Sequence, residues 1–275
     1  MRLKVKQQER NKHTEIVTTV GWNSSNELYS CSDDGKALLW DINGEPQPQE
    51  LALESPVTGS SWQPGARGVQ EVMAQSCSDG SFRLMNRSGR VEKTVAEAHK
   101  GSVICIQWSH DGSTIATGGE DGQVKVWAKT GMLRSTLSTH DRAIYSLAWG
   151  PASDQLVFTY HKQLFLKHIQ AGQKQANWKA HEGCVISVHW SPSNGLIISG
   201  GEDCKYKIWD TFGRNLFTSS PYEYVITAVS WAPNGEFFAV GSFDMLRLCD
   251  KTGWTYSLVK PRTCLLYTSP SPRDS

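Results

Sequence analysis

The chain has 275 residues, and its 28 Lys and Arg nearly balance its 27 Asp and Glu, which leaves a formal net charge of +1. A net charge this close to zero gives no long-range field that favours nucleic acid or an acidic membrane surface. No apolar run approaches the ~18 residues of a spanning helix, and the first residues, MRLKVKQQER, lack the apolar core of a signal peptide. We therefore expect no nucleic-acid partner and no membrane insertion, and we place the chain in the cytoplasm.

A short segment that ends in tryptophan recurs along the chain. In order, the segments are VTTVGW, VTGSSW, VICIQW, IYSLAW, VISVHW and ITAVSW, and their Trp residues are 40, 46, 41, 41 and 41 positions apart. A period of about 40 to 45 residues with short alternating strands is typical of β-propeller blades. The sequence therefore predicts an all-β propeller over residues 1–262, with six four-stranded blades around 13–54, 55–97, 98–138, 139–179, 180–220 and 221–260.

Each predicted blade has the same order of elements, which is clearest in the third. Strand a ends at Trp108, SHDG forms a turn, strand b covers 113–118, a Glu-Asp-Gly turn follows, strand c covers 124–127, and strand d covers 132–137. A His lies nine residues before the strand-a Trp in four blades, and an Asp lies six residues before the strand-c Trp in three. Offsets that recur in this way are hard to obtain by chance.

These patterns resemble WD repeats, and the literal dipeptide stands at Trp40-Asp41 and Trp209-Asp210. The resemblance implies a buried hydrogen-bond chain of Trp, hydroxyl, His and Asp that fixes each blade, which suits the rule that buried polar groups satisfy one another. Three blades carry all four residue types. The predicted structural tetrads are His13, Ser30, Asp34 and Trp40 in blade one, His99, Thr117, Asp121 and Trp127 in blade three, and His181, Ser199, Asp203 and Trp209 in blade five.

The other three blades depart from this pattern. Blade two lacks the His and has Met85 in place of Trp, blade four lacks both Asp and Trp, and blade six has Phe243 at the Asp position. The segment FTYHKQLF in blade four departs furthest from the repeat. A departure from a repeat is a reasonable place to look for a specialised contact.

No catalytic or metal site is predicted. Ser109, His110 and Asp111 are consecutive, so they cannot converge as a catalytic triad does, and SHDG is a good turn sequence. His161 and His168 are seven positions apart on a predicted strand, which sends them to opposite faces. No P-loop, GxGxxG or GxSxG motif occurs. We expect a protein that is not an enzyme and needs no cofactor, although a propeller enzyme with groups converging on the central channel remains an alternative.

The cysteines support the same interpretation. The seven are odd in number, contain no CxxC pair and lie mostly in strand-like runs, so we expect reduced packing residues rather than a metal or redox site.

The predicted interaction surface is the rim formed by the turns between strands b and c. The residue before each turn Asp is Asp33, Ser78, Glu120 or Glu202, and Arg142 lies near the same face. Three acidic residues on one rim would suit a basic partner, whereas solvated rim charges without a partner are the simpler interpretation.

Several segments are more specific in sequence than the general propeller repeat requires. LYSCSDDGKALLWD, GEDGQVKVWAKTGMLRSTL, SGGEDCKYKIWDTFGR and FAVGSFDMLRLCDKTGW resemble the N-terminal propeller of the intraflagellar transport protein 80 family. The resemblance implies a scaffold subunit of complex B, needed for cilium assembly and transport along the axoneme. It also implies other complex B subunits as partners, including one with a calponin-homology domain, and a location in the cytoplasm and in the cilium at the axoneme and basal body. An adaptor of another assembly, such as a coat or a ubiquitin-ligase receptor, remains the alternative because fold does not fix function.

The end of the chain does not continue the repeat. Residues 263–275 are rich in Ser and Pro, contain no Trp, and are expected to form a disordered tail of non-native appearance. The family's propellers suggest a seventh blade and closure by an N-terminal strand, here Leu3–Lys6, so we expect a truncated chain with an incomplete seven-bladed propeller. Six blades alone would expose two blade faces and their strand edges.

Overall fold

The structure is a computed structural model that describes residues 13–53, 55–65, 71–173, 175–243 and 245–260. These residues form 24 strands in six antiparallel four-stranded sheets, each with its strands in sequential order. The six sheets are arranged as blades in a ring, which confirms the predicted all-β propeller with six blades. No helix in the described ranges is long and apolar enough to cross a membrane.

Each blade takes four consecutive strands. Blade one contains β1 (Val17–Trp22), β2 (Leu28–Ser32), β3 (Lys36–Trp40) and β4 (Pro46–Ala52), and blade two contains β5 (Val57–Trp62), β6 (Val72–Cys77), β7 (Phe82–Asn86) and β8 (Val91–Val95). Blade three contains β9 (Val103–Trp108), β10 (Thr114–Gly119), β11 (Gln123–Ala128) and β12 (Leu133–Thr139), and blade four contains β13 (Leu147–Trp149), β14 (Gln155–Tyr160), β15 (Gln163–His168) and β16 (Ala176–Lys179). Blade five contains β17 (Val185–Trp190), β18 (Ile197–Gly201), β19 (Tyr206–Trp209) and β20 (Asn215–Thr218), and blade six contains β21 (Ile226–Trp231), β22 (Phe237–Ser242), β23 (Met245–Asp250) and β24 (Thr255–Val259).

The turns between strands b and c have two lengths. In blade three, Glu120-Asp121-Gly122 separates β10 from β11, and Gly122 has a φ of +73°, which glycine adopts without a Cβ clash. In blades four and six the hairpin closes with only two residues between the paired positions Tyr160 and Gln163, or Ser242 and Met245. The two blades that lack the turn Asp therefore also have the shorter turn.

The core consists of layers between neighbouring blades. Five buried clusters join blades one and two, two and three, three and four, four and five, and five and six. In the cluster between blades four and five, Trp190 and Val188 of the inner strand β17 pack on Val157 and Leu164 of blade four. No buried cluster among the described residues joins blade six to blade one.

The inner strands are also joined around the channel by side-chain hydrogen bonds. Thr18 donates its hydroxyl to the carbonyl of Val57, Thr58 donates to that of Val103, and Ser146 accepts the amide of Val188 at 3.1 Å. Each bridge runs from one inner strand to that of the next blade, so it uses polar groups that a strand edge would otherwise leave unpaired.

The strand-a tryptophans differ in how well they are covered, and Trp22 stands apart from the other five. Trp22 is more than half exposed on blade one, whereas the other five are buried. Blade six likewise exposes Leu246 and Tyr256. The predicted closing strand Leu3–Lys6, a seventh blade and the tail 263–275 lie outside the described residues.

Candidate interaction surface

The b–c turns and the loops that enter each new blade meet on one face of the ring, which we call the upper face. The predicted tetrad of blade three connects these two elements. Trp127 donates its indole N–H to Thr117 Oγ1 at 2.8 Å, Thr117 is 2.7 Å from His99 Nε2, and His99 Nδ1 is 2.8 Å from Asp121 Oδ1. Because Thr117 already accepts from Trp127, its own proton is available to Nε2, and the Nδ1–H is left to donate to the carboxylate.

Blades one and five contain the same arrangement. In blade five, Ser199 accepts the Trp209 indole N–H at 2.9 Å and lies 2.7 Å from His181, which contacts Asp203 at 2.8 Å. In blade one, the His13 ring lies 2.7 Å from Ser30 and 3.0 Å from Asp34, and Trp40 donates to Ser30 at 2.7 Å.

Electrostatics favour a neutral His99 ring and a charged Asp121 carboxylate in the tetrad of blade three. Burial lowers the pKa of His99, and the hydrogen bond to Asp121 only partly offsets this effect. Burial alone would raise the pKa of the Asp121 carboxyl, but hydrogen bonds from His99 and from the amides of Gln123 and Lys100 lower it below its usual range. The carboxylate therefore holds the loop at Lys100 on the upper face, and the tetrad acts on the surface by positioning its loops.

Blades two and four join the same elements by other means. In blade two, Ser55 donates to Asp79 at 2.6 Å and accepts from Arg83 at 3.2 Å. In blade four, the His140 ring stacks on Tyr160 with centroids 4.4 Å apart, and its Nε2 is 2.8 Å from Ser138 Oγ.

Blade six uses an aromatic arrangement. Tyr222 takes the tetrad's His position, and the Arg247 guanidinium lies over its ring at 4.6 Å from the centroid. Phe243, at the Asp position, is exposed and contacts Tyr224 at a centroid distance of 5.2 Å. Blade six thus presents an aromatic pair where blades one, three and five present a carboxylate.

The predicted acidic rim is only partly available to a partner. Glu120 accepts the amide of Ser102 at 3.1 Å, and Glu202 accepts the amide of Cys184 at 2.9 Å. Both carboxylates are thus also used inside their own blades, a role that spacing along the sequence does not reveal. Asp33 and Arg142 are exposed on the same face.

The remaining candidates form no catalytic arrangement. The Ser109 hydroxyl donates to Asp111, whereas His110 is exposed and its Nε2 lies 3.3 Å from the carbonyl of Trp149. No group of three or more His, Cys, Asp and Glu side chains in the described part of the chain could hold a metal ion.

His161 does not lie on a strand as predicted. It occupies the short b–c turn of blade four with a φ of +50°, and its Nδ1 is 3.2 Å from Cys184 Sγ, while His168 ends β15. The shortened turn is the physical reason for this difference, because it replaces a strand residue with a left-handed turn residue.

The central channel holds a cavity of about 440 Å³ lined by the inner strands of all six blades. Its lining includes Thr18, Thr58, Ser146, Ser187 and Tyr145, and none of its lining residues is charged. The described residues that line the channel therefore offer hydroxyl groups but no carboxylate, imidazole or amine for acid–base chemistry.

Comparison with known proteins gives consistent results. A family profile described as "WD domain, G-beta repeat" matches residues 5–41, 90–128, 172–210 and 214–246. The chain is 48% identical over 270 residues, 96% of its length, to the "Intraflagellar transport protein 80 homolog" of Mus musculus, and equally similar to that of Rattus norvegicus. It spans 35% of the length of these curated relatives. It is also 22% identical over 229 residues, 76% of its length and 43% of the relative's, to "F-box-like/WD repeat-containing protein TBL1X" of Mus musculus.

Proposed function

This chain belongs to the WD-repeat family, and on that premise we propose that it is a non-enzymatic protein-interaction scaffold of intraflagellar transport complex B. The observation that carries the proposal is the 48% identity over 96% of the chain to proteins named for intraflagellar transport. The matched region covers almost the whole chain, and so all six blades rather than a single repeat.

The chemistry of the described residues supports the non-enzymatic part of the proposal. The His–Asp pairs are divided among three blades and each holds its own loop, so they do not converge on one reacting group. The exposed upper face offers charged and aromatic side chains on rigid turns, which suits recognition of another protein.

The proposed setting is the cilium, at the axoneme and basal body, with a cytoplasmic pool. The proposed partners are other complex B subunits, including one with a calponin-homology domain. Cilium assembly is then the process in which the scaffold acts. The alternative is an adaptor of a coat or a ubiquitin ligase, and the weaker similarity to an F-box-like WD-repeat protein favours that second candidate.

The experiment is mass spectrometry of proteins that co-purify with the tagged 275-residue chain from ciliated cells. Enrichment of complex B subunits supports the proposal, and enrichment of coat or ubiquitin-ligase subunits instead supports the alternative. The matched control is Trp190→Ala, which leaves a cavity between blades four and five and should recover less of the partners because destabilisation lowers the amount of folded chain. Recovery of neither set by the parent chain would count against both candidates.

A further inference from the structure

Three cations lie close together on the upper face of blades four and five. Arg142 is in the loop entering blade four, Lys162 is in the b–c turn of blade four, and Lys205 follows the b–c turn of blade five. The carbonyl of Lys162 accepts the amides of Ala180 and His181 at 2.8 Å and 3.2 Å, so this turn lies against the loop that enters blade five. None of the three side chains forms an ion pair with a described residue.

Electrostatic effects on neighbouring groups show that these cations share one region. Burial and the Glu202 carboxylate raise the pKa of the Cys184 thiol, whereas Arg142 and Lys162 both act to lower it. Lys179 lowers the pKa of Glu182, with a smaller contribution from Lys162. Burial lowers the pKa of His181, with smaller contributions from Lys207 and Lys205. The three positive charges therefore lie near the loop at 181–184.

The carboxylates at the loop 181–184 and at Asp141 already have partners within the chain, whereas Glu223, in the loop entering blade six, is exposed. Glu202 accepts the Cys184 amide at 2.9 Å, Glu182 pairs with Lys179 at 2.6 Å, and Asp141 accepts the Tyr160 hydroxyl. Asp203 is held by His181 at 2.8 Å and by the Glu182 amide at 3.1 Å. These contacts leave Arg142, Lys162 and Lys205 as cations whose heads are available to an incoming anionic group.

An exposed aromatic pair lies next to this cationic region. The amide of Tyr222 donates to the carbonyl of Cys204 at 2.8 Å, which places the loop entering blade six beside the turn that carries Lys205. Along that loop, Tyr224 contacts Phe243, whose side chain is 79% exposed. An apolar ring this far exposed to water is typical of a contact site.

We propose that Arg142, Lys162, Lys205 and Phe243 form a docking surface for an acidic linear segment of a partner protein. Carboxylates of the segment meet the three cations, and one apolar side chain of the segment packs on Phe243. A polypeptide fits better than a nucleic acid, because the net charge of +1 provides no wider field for a phosphate backbone. The docking surface specifies how the proposed scaffold would bind a partner. The identity of that partner rests on the proposed function.

The test measures fluorescence anisotropy of a labelled synthetic peptide of glutamates with one central phenylalanine, titrated with the purified chain. The triple exchange Arg142→Glu, Lys162→Glu and Lys205→Glu should weaken binding by about tenfold or more, because three attractive contacts become repulsive. Phe243→Ala should weaken peptide binding by a few-fold. It should not change how binding depends on salt concentration, because the side chain carries no charge. The single exchange Arg142→Glu, at an exposed side chain, gives the same direction should the triple variant not fold.

The matched control exchanges three exposed cations outside the surface, Lys93→Glu, Lys100→Glu and Lys129→Glu, with the same change in net charge. It should retain affinity within about twofold. Equal losses in both triples would overturn the proposal, since binding would then follow net charge alone, and so would equal affinity for a single-stranded oligonucleotide of the same charge. If the peptide binds but no complex B subunit co-purifies, the docking surface is supported and only the assignment to complex B is rejected.

Discussion

Blades five and one present the same residues in the same register, yet only one of the two faces is covered. On blade five, Val185, Val188 and Trp190 are 0%, 2% and 2% exposed against blade four. Their counterparts on blade one are 45%, 58% and 54% exposed. The repeat therefore specifies a face that is able to pack, and the neighbouring blade decides whether that face contributes to stability.

The inner edges show the same contrast. Thr18 and Thr58 each donate a hydroxyl to the inner strand of the following blade. Thr227 occupies the equivalent position in blade six, where it is exposed and forms no such bond with a described residue. The facing sides of blades six and one thus carry side chains typical of an interface between blades, but no described blade packs against them.

The largest expected effect is the difference in stability lost on truncating Trp190 and Trp22. Trp190→Ala should lower the free energy of unfolding by about 3 to 5 kcal/mol, because it leaves a cavity in the cluster between blades four and five. Trp22→Ala should cost about 1 kcal/mol or less, since water already reaches its ring. Urea unfolding followed by tryptophan fluorescence and circular dichroism measures both. Equal losses would mean that Trp22 is covered in solution.

The next comparison concerns pH. His189 precedes Trp190 and accepts the amide of Trp231 at 3.0 Å, so blade six covers it, whereas its counterpart in blade six, Ser230, is exposed. Burial, with a smaller contribution from His110, lowers the pKa of His189 to about 4. The unfolded chain takes up a proton on this ring below pH ~6.5, and the folded chain does so only near pH 4.

Stability should therefore fall as the pH drops from ~6.5 to ~4, by about 3 kcal/mol for this ring. His189→Gln should reduce the dependence of unfolding free energy on pH in that window while an amide oxygen still accepts from Trp231. The slope that remains comes from the other histidines whose pKa values burial lowers, His99, His140 and His181. The control is Ser230→Asn, at the exposed counterpart in blade six, which adds no titratable group and should leave the slope unchanged. The tetrad carboxylates, whose pKa values are lowered, affect stability only at lower pH. An unchanged slope in His189→Gln would contradict the assignment.

The spacing of residues predicted contacts within blades far better than contacts between them. The offsets of His99, Asp121 and Trp127 follow from strand length and turn length, which one blade contains in full. Whether Trp22 is buried depends on a different part of the chain, which its own repeat does not encode. The contact of His161 with Cys184 depends on a turn one residue shorter than in the other blades, and only the structure shows where that ring then lies.

The smallest expected effect is the difference in stability lost when the tetrad hydroxyl is removed from blade five, which is covered, and from blade one, which is not. Ser199→Ala leaves the Trp209 indole N–H and His181 Nε2 without their partner in a fully buried position, which should cost about 1 to 3 kcal/mol. Ser30→Ala removes the same two hydrogen bonds in blade one, where Trp40 and His13 are only partly buried. Ser30 itself is buried, but Trp40 is less covered than Trp209, so the expected cost is smaller, about 1 kcal/mol. The urea concentration at the midpoint of unfolding measures both costs, provided that the m-value is the same in the parent chain and in both variants. Equal costs in the two blades would show that the tetrad stabilises its own blade regardless of what covers it.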